Sequence, residues 1–246
     1  MPGSDDTSWS SLLRFYLRWS SRPFAALVVG LPLLLLYEIG GRWLGRTGAG
    51  GLVAERLLIE LIASVGPLLT WTPALLWLGV VVFWHYHRRD RAKLVPWAPP
   101  MMLAESLFLT IPLLVLGQFG AGPLQGLGGA APIGLGSALL GALGAGLYEE
   151  LIFRCFLLLG LIWFLRTLGW QALPAGLAAL LLSSLAFSSA HFAPAGSEAW
   201  DATRFTLRWI AGMYLGYLLL QRGLGIATCT HAWYDILIVL SLSRQG

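Results

Sequence analysis

Apolar residues run along this chain in long blocks separated by short polar stretches. The blocks cover about 23–37, 67–86, 101–119, 134–168, 174–192, 205–220 and 224–242. A helix rises about 1.5 Å per residue, so about 20 apolar residues cross a hydrocarbon core of about 30 Å. The blocks therefore read as seven candidate spans. Between the first two, residues 52–64 set Glu55, Arg56 and Glu60 at helical spacing among apolar neighbours. That pattern predicts an amphipathic helix lying in the membrane interface. The expected fold is all-α, a polytopic transmembrane bundle of about seven to eight helices.

Two blocks need comment. The first begins late and has no small-residue cleavage site directly after it, so it reads as a retained helix rather than a signal peptide. The block at 134–168 is long: at the α-helical rise it would reach about 52 Å. It must tilt, break or project from the membrane. Gly134, Gly136, Gly141, Gly144 and Gly146 make a break among them the expectation. Residues 120–134 are rich in Gly and Pro, carry no charge and read as a loop. The chain is thus expected to divide into N-terminal membrane helices with the amphipathic segment, 1–133, and a C-terminal core, 134–242.

Charge sets the topology. The cluster His85, His87, Arg88, Arg89, Asp90, Arg91 and Lys93 marks a cytoplasmic loop. Short loops with Arg166 and Arg222 join it, and the loop with Glu198 and Asp201 faces out. The N-terminus is then inside and the C-terminus outside. Arg42 and Arg46 run against this rule, and a spanning 52–64 segment would flip the N-terminus.

Composition agrees with the pattern. Of 246 residues, 57% are hydrophobic and 11% charged, where soluble domains carry about 25% charged residues. Mean hydropathy is +0.72. A soluble domain and a disordered chain are excluded. The net charge of +4 does not point to nucleic acid, because the arginines sit between apolar blocks. The expected setting is an integral, multi-pass protein of a bacterial or archaeal cytoplasmic membrane, with the bilayer as partner. The twelve tryptophans mostly fall near span ends, as interfacial anchors do.

An ionisable side chain at a helix centre in lipid costs at least about 2.5 kcal/mol, so each one needs a partner or a task. Three groups stand out. In Glu149-Glu150-Leu151-Ile152-Phe153-Arg154, Glu150 and Arg154 are i,i+4 neighbours in the order that suits an ion pair. Glu149 projects away from the arginine and is the freer carboxylate. In Phe187-Ser188-Ser189-Ala190-His191 an imidazole lies near a span end. In His231-Ala232-Trp233-Tyr234-Asp235 the imidazole and the carboxylate are again i,i+4, which lets Asp235 orient the ring. The set supports two chemistries. One is water activated by a glutamate base, with histidine and Asp235 stabilising the oxyanion. The other is metal-assisted hydrolysis, with Glu149, His191 and His231 as ligands. A structural cluster in a peptide-binding protein and a proton relay in a transporter also use such residues.

Glu-Glu-x-x-x-Arg, then Phe-x-x-x-His, then His-x-x-x-Asp, each on an apolar helix, resembles the CPBP group of intramembrane proteases. That group includes type II CAAX prenyl endopeptidases, bacteriocin-processing and immunity proteins and bacterial sorting proteases. The resemblance covers about 134–242. It implies an intramembrane endopeptidase acting on membrane-anchored peptides or proteins. Glu149 would be the general base. Glu150 and Arg154 would support it, His191 would hold the same water, and His231 with Asp235 would stabilise the oxyanion. It implies no cofactor, with zinc as the second option, because the group has been described both as metalloproteases and as glutamate-type proteases. An inactive immunity or scaffold protein is the alternative.

Two positions depart from the group's pattern. Asp235 stands where asparagine is typical, and an ionised aspartate donates no hydrogen bond. It must be protonated, orient His231 or bind metal. Cys155 stands where glycine is common, and Cys229 precedes His231 by two residues. Two cysteines make no disulfide framework; packing is expected of both, with a substrate-facing thiol as the alternative. Gly212 and Gly216 form a GxxxG that predicts close helix packing. Glu105 is expected to face a cavity or to pair with an arginine such as Arg208.

Overall fold

A computed structural model describes residues 9–44, 72–89, 93–119, 134–192 and 199–244. The expected 52–64 helix, most of the 120–134 loop, Arg46 and Glu198 lie outside the described residues. Within them the chain is helical, without a strand. The helices are α1 (Trp9–Ser20), α2 (Pro23–Trp43), α3 (Thr72–His87), α4 (Ala98–Leu109) and α5 (Ile111–Gly117). Then come α6 (Leu135–Glu149), a π-helical segment (Glu150–Leu158), α7 (Leu159–Thr167), α8 (Ala172–Phe192), α9 (Ala202–Arg222) and α10 (Leu224–Ser243).

Pro23–Trp43, Ala98–Gly117, Ala172–Phe192 and Leu224–Ser243 are long and apolar enough to cross a membrane. The second of these joins α4 and α5 through Thr110. Pro112 has no N–H to give to the preceding turn. The Thr110 hydroxyl donates to Ser106 O at 2.9 Å. Helix α9 is as long, but Arg204, Arg208 and Arg222 lower its hydropathy. Its start is capped by Asp201, whose carboxylate accepts from the Arg204 amide at 2.7 Å. Its end is Gly223 alone, and α10 begins at the next residue. Gly223 has φ +85°, and a Cβ there would lie 2.8 Å from Ser21 O. Only glycine allows both the left-handed turn and the approach.

The long 134–168 block does not break at its glycines. It stays helical and changes hydrogen-bond pattern at Glu150, directly after the two glutamates. The Leu159 N–H reaches back to Arg154 O, the i→i+5 bond of a π-helix. The glycines serve contact instead. A Cβ at Gly146 would lie 2.8 Å from Thr228 O and 3.0 Å from Ala232, so α6 and α10 meet almost backbone to backbone. The GxxxG packs α9 on α8: a Cβ at Gly212 would meet Phe187 at 3.0 Å, and one at Gly216 would meet Leu180 at 2.5 Å. Helix α2 packs against α6, α3 and α10.

The amphipathic α1 lies across one end. Its inner face, Tyr16, Trp19 and Ser20, is buried. Trp19 Nε1 donates to Lys93 O at 2.9 Å. Arg222 places Nε and one terminal nitrogen on the two oxygens of Glu105, at 2.7 and 2.8 Å. It also donates to Ser20 Oγ at 3.1 Å, and the Tyr16 hydroxyl donates to Glu105. Burial, reinforced by the Glu105 carboxylate, raises the Tyr16 hydroxyl above its ordinary pKa. Glu105 therefore pairs with Arg222, not with Arg208, and belongs to a latch that ties α1, α4 and α9. The 85–93 loop meets the latch end at Lys93.

Candidate active site

The three sequence motifs converge. Glu149 ends α6, Glu150 and Arg154 sit in the π segment, His191 lies in the last turn of α8, and His231 and Asp235 lie on α10. The contact at Gly146, one turn before Glu150, brings the glutamates against His231. The packing of Gly212 on Phe187 and Ser184 holds α8 in register with α9. Ser188 Oγ adds a bond to Phe205 O at 2.7 Å. His191 and His231, which the sequence places at different depths of their spans, both reach Glu149.

Two layers of contacts follow. In the supporting layer, His231 Nδ1 lies 2.9 Å from Glu150 Oε1. Glu150 is fully buried and its other oxygen lies 3.3 Å from Arg154 Nε. The Arg154 guanidinium stacks over the Phe187 ring at 4.2 Å. The carboxylate that orients His231 is thus Glu150, from another helix, and not Asp235. An ionised carboxylate only accepts, so Nδ1 carries a proton and Nε2 points the other way.

In the inner layer, His231 Nε2 lies 3.7 Å from Glu149 Oε2 and 3.6 Å from Asp235 Oδ2. His191 Nε2 lies 3.8 Å from Glu149 Oε1. His191 Nδ1 donates to Phe187 O at 2.9 Å, which leaves the Nε2 lone pair facing Glu149. Separations of 3.6–3.8 Å are too long for direct hydrogen bonds. They suit one water bridging the carboxylate and the rings. Phe187 stands edge-on between the imidazoles, with ring centroids 5.0 Å from His191 and 6.2 Å from His231. This phenylalanine is a wedge that spaces the two rings.

Two imidazole nitrogens and a carboxylate are donor types that zinc accepts. Among the described residues, however, no group of three His, Cys, Asp or Glu side chains is arranged to hold an ion. Both cysteines are free. Cys229 packs in an apolar cluster with Tyr16, Trp19 and Met102, and Cys155 against the main core.

One residue was not singled out from the sequence as part of the site. Arg208 of α9 is 7% exposed, and its guanidinium carbon lies 5.5 Å from the Phe192 ring centre, next to His191. It is within Coulombic reach of Glu149, His191 and Asp235. Its signal in the sequence is an arginine in mid-block, where lipid does not tolerate an unpartnered charge.

A buried carboxylate flanked by two imidazoles, among helices long and apolar enough to cross a membrane, is an arrangement that can activate water for hydrolysis. The family model for Type II CAAX prenyl endopeptidase Rce1-like proteins matches residues 131–237, a similarity that supports a CPBP-type intramembrane protease. No curated protein and no solved structure matches the chain.

Proposed function

We propose that this protein cleaves a peptide bond close to the membrane-anchored end of its substrate, using water activated by Glu149. The observation that carries this reading is the position of Glu149, with an imidazole Nε2 3.7–3.8 Å from each carboxylate oxygen. Water bound there gives one proton to Glu149, and its second hydrogen points to the His191 lone pair. The water oxygen bonds to the scissile carbonyl carbon, and the C=O π pair moves onto oxygen. His231, doubly protonated and held from behind by Glu150, donates through Nε2 to that oxyanion. Collapse breaks the C–N bond, and Glu149 returns its proton to the leaving nitrogen. The products are a carboxylic acid and an amine. Arg154 fixes Glu150 and does not meet the substrate.

The reading uses the protein's own side chains and water. The enclosing helices limit substrates to peptides already in the bilayer, so an anchored peptide or protein is the substrate class. The test is a library of lipid-anchored peptides incubated with detergent-solubilised enzyme and read by mass spectrometry. Wild type is expected to cleave with or without chelator, and Glu149→Gln to lose at least about 10³-fold in kcat. Full activity in Glu149→Gln, or no cleavage by wild type, counts against the proposal. Cleavage abolished by chelator and restored by zinc means that Glu149, His191 and His231 act as ligands.

A further inference from the structure

Glu149 is useful only where both imidazoles can reach it, and that depends on how α6 is rotated about its own axis. Glu149 is the last residue of α6, and the pitch changes at the next one. A helix turns by about 100° per residue. Gly146 and Glu150 therefore share one face, which meets α10 at Thr228 and Ala232 and at His231. Tyr148 is set about 160° round the axis from both of them. Glu149 projects between these two directions, toward His191 of α8.

Contacts on one face let a helix roll. A contact on the opposite face stops it. Tyr148 supplies that contact: it is fully buried, and its hydroxyl donates to Glu38 Oε1 of α2 at 2.7 Å, across 110 positions of the chain. The Tyr37 ring stands edge-on to Tyr148, with centroids 5.5 Å apart. The other Glu38 oxygen accepts from Arg42 at 3.0 Å. Arg42 is 38% exposed, however, and this i,i+4 pair stays within α2. Such exposed pairs contribute little. A carboxylate inside the candidate span Pro23–Trp43 needs a partner or a task, and the bond that crosses to α6 gives Glu38 both.

Resting on the peptidase reading above, we propose that Glu38 is a positioning residue of this enzyme: through the Tyr148 hydroxyl it fixes the rotation of the last turn of α6, and so holds the Glu149 carboxylate between His191 and His231. A roll of about 10° carries a group about 6 Å from the helix axis through about 1 Å. A displacement of that size costs about 10²-fold in rate, and a partial roll costs correspondingly less.

The test compares wild type, Tyr148→Phe, Glu38→Ala, Glu38→Gln, the Glu38→Ala/Tyr148→Phe double variant and Glu149→Gln. All are full-length and detergent-solubilised, and act on the lipid-anchored peptide that wild type cleaves best. Tyr148→Phe and Glu38→Ala are each expected to lower kcat about tenfold or more, with KM changed less than about twofold, because the substrate is bound as before and only the base is misplaced. Glu38→Gln keeps an oxygen that accepts from the tyrosine, and is expected to retain at least about half of the wild-type kcat. The double variant is expected to lose no more than the worse single variant, since both substitutions cut the same link.

Wild-type kcat in Tyr148→Phe, with Glu149→Gln inactive, overturns the role of Glu38 and leaves the peptidase reading standing. Losses that multiply in the double variant also overturn it, because the two residues then act separately. So does a Glu38→Gln variant as slow as Glu38→Ala, which would assign the effect to charge and not to the hydrogen bond. A fall in melting temperature with kcat per folded molecule unchanged makes the pair structural and sinks the proposal. If Glu38→Ala does not fold, Tyr148→Phe, which removes a single oxygen, decides. Full activity in Glu149→Gln, or no cleavage by wild type, removes both readings.

Discussion

Glu150 Oε1 and His231 Nδ1 lie 2.9 Å apart and are fully enclosed, although 81 positions separate them in the chain. This bond joins the π segment to α10 and fixes which imidazole nitrogen faces Glu149. The same carboxylate holds Arg154, so it is shared by two partners. Removing one member of a buried ion pair costs about 3–5 kcal/mol, since the other charge is left uncompensated. Glu150→Ala is therefore expected to lower the melting temperature in detergent sharply and to abolish cleavage. Glu150→Ala/Arg154→Met, which removes both charges, should regain most of the stability and none of the activity. Recovery of both together would mean that Glu150 acts only in packing.

Gly146 sets the distance between α6 and α10. An added Cβ would meet backbone at Thr228, which cannot rotate away. Overpacking of this kind costs about 1–3 kcal/mol, and a 1 Å misplacement of reacting groups costs about 10²-fold in rate. Gly146→Ala should thus leave a folded protein with a modestly lower melting temperature and about 100-fold lower kcat. Gly176, with open space around its Cβ position, is the control: Gly176→Ala should change neither.

The latch at the basic end gives a pH prediction. The Tyr16 hydroxyl is held above its ordinary value of 10.0 by burial and by Glu105. A group with a raised folded-state pKa contributes stability that is complete below its unfolded value and is lost as pH rises through the folded value. Wild-type stability should therefore be flat with respect to this group from neutral pH to about pH 10, and should fall above it. Tyr16→Phe should melt lower at pH 8 and show a shallower decline above pH 10. Parallel curves for the two proteins would show that Tyr16 does not couple to Glu105.

Much of this was legible in the sequence, and the failures have physical causes. Four of the seven apolar blocks correspond to helices that, among the described residues, are long and apolar enough to cross a membrane, because lipid demands long apolar helices. The i,i+4 spacing marked Glu150 with Arg154, and His231 with Asp235, because helical neighbours recur at that interval. Contacts between helices are not periodic and were misassigned. Asp235 looked like the residue orienting His231, yet Glu150 crosses from another helix to do so. Glu105 looked suited to Arg208 and instead meets Arg222, 117 positions away. Glycines looked like a break because they often are one in soluble helices. In this bundle Gly146 brings two helices together, and the change of pitch falls at the charged residues that follow.

The buried thiols supply the last prediction. Transfer of a peptide through a thioester would need a cysteine sulfur at the scissile carbonyl and an exposed thiolate to attack it. Cys229 is enclosed by Tyr16, Trp19 and Met102, on the α1 side of α10. Cys155 packs against the main core, one residue past Arg154 in the supporting layer. Small apolar replacements should be tolerated, at about 1 kcal/mol or less each. Cys155→Ala/Cys229→Ala is expected to cleave lipid-anchored peptides at the wild-type rate and to resist thiol alkylation without effect on activity. Water should appear as the acyl acceptor, with one ¹⁸O incorporated into the new carboxylate when the reaction runs in labelled water. Loss of cleavage in the folded double variant would assign the nucleophile to sulfur and displace Glu149 from that step.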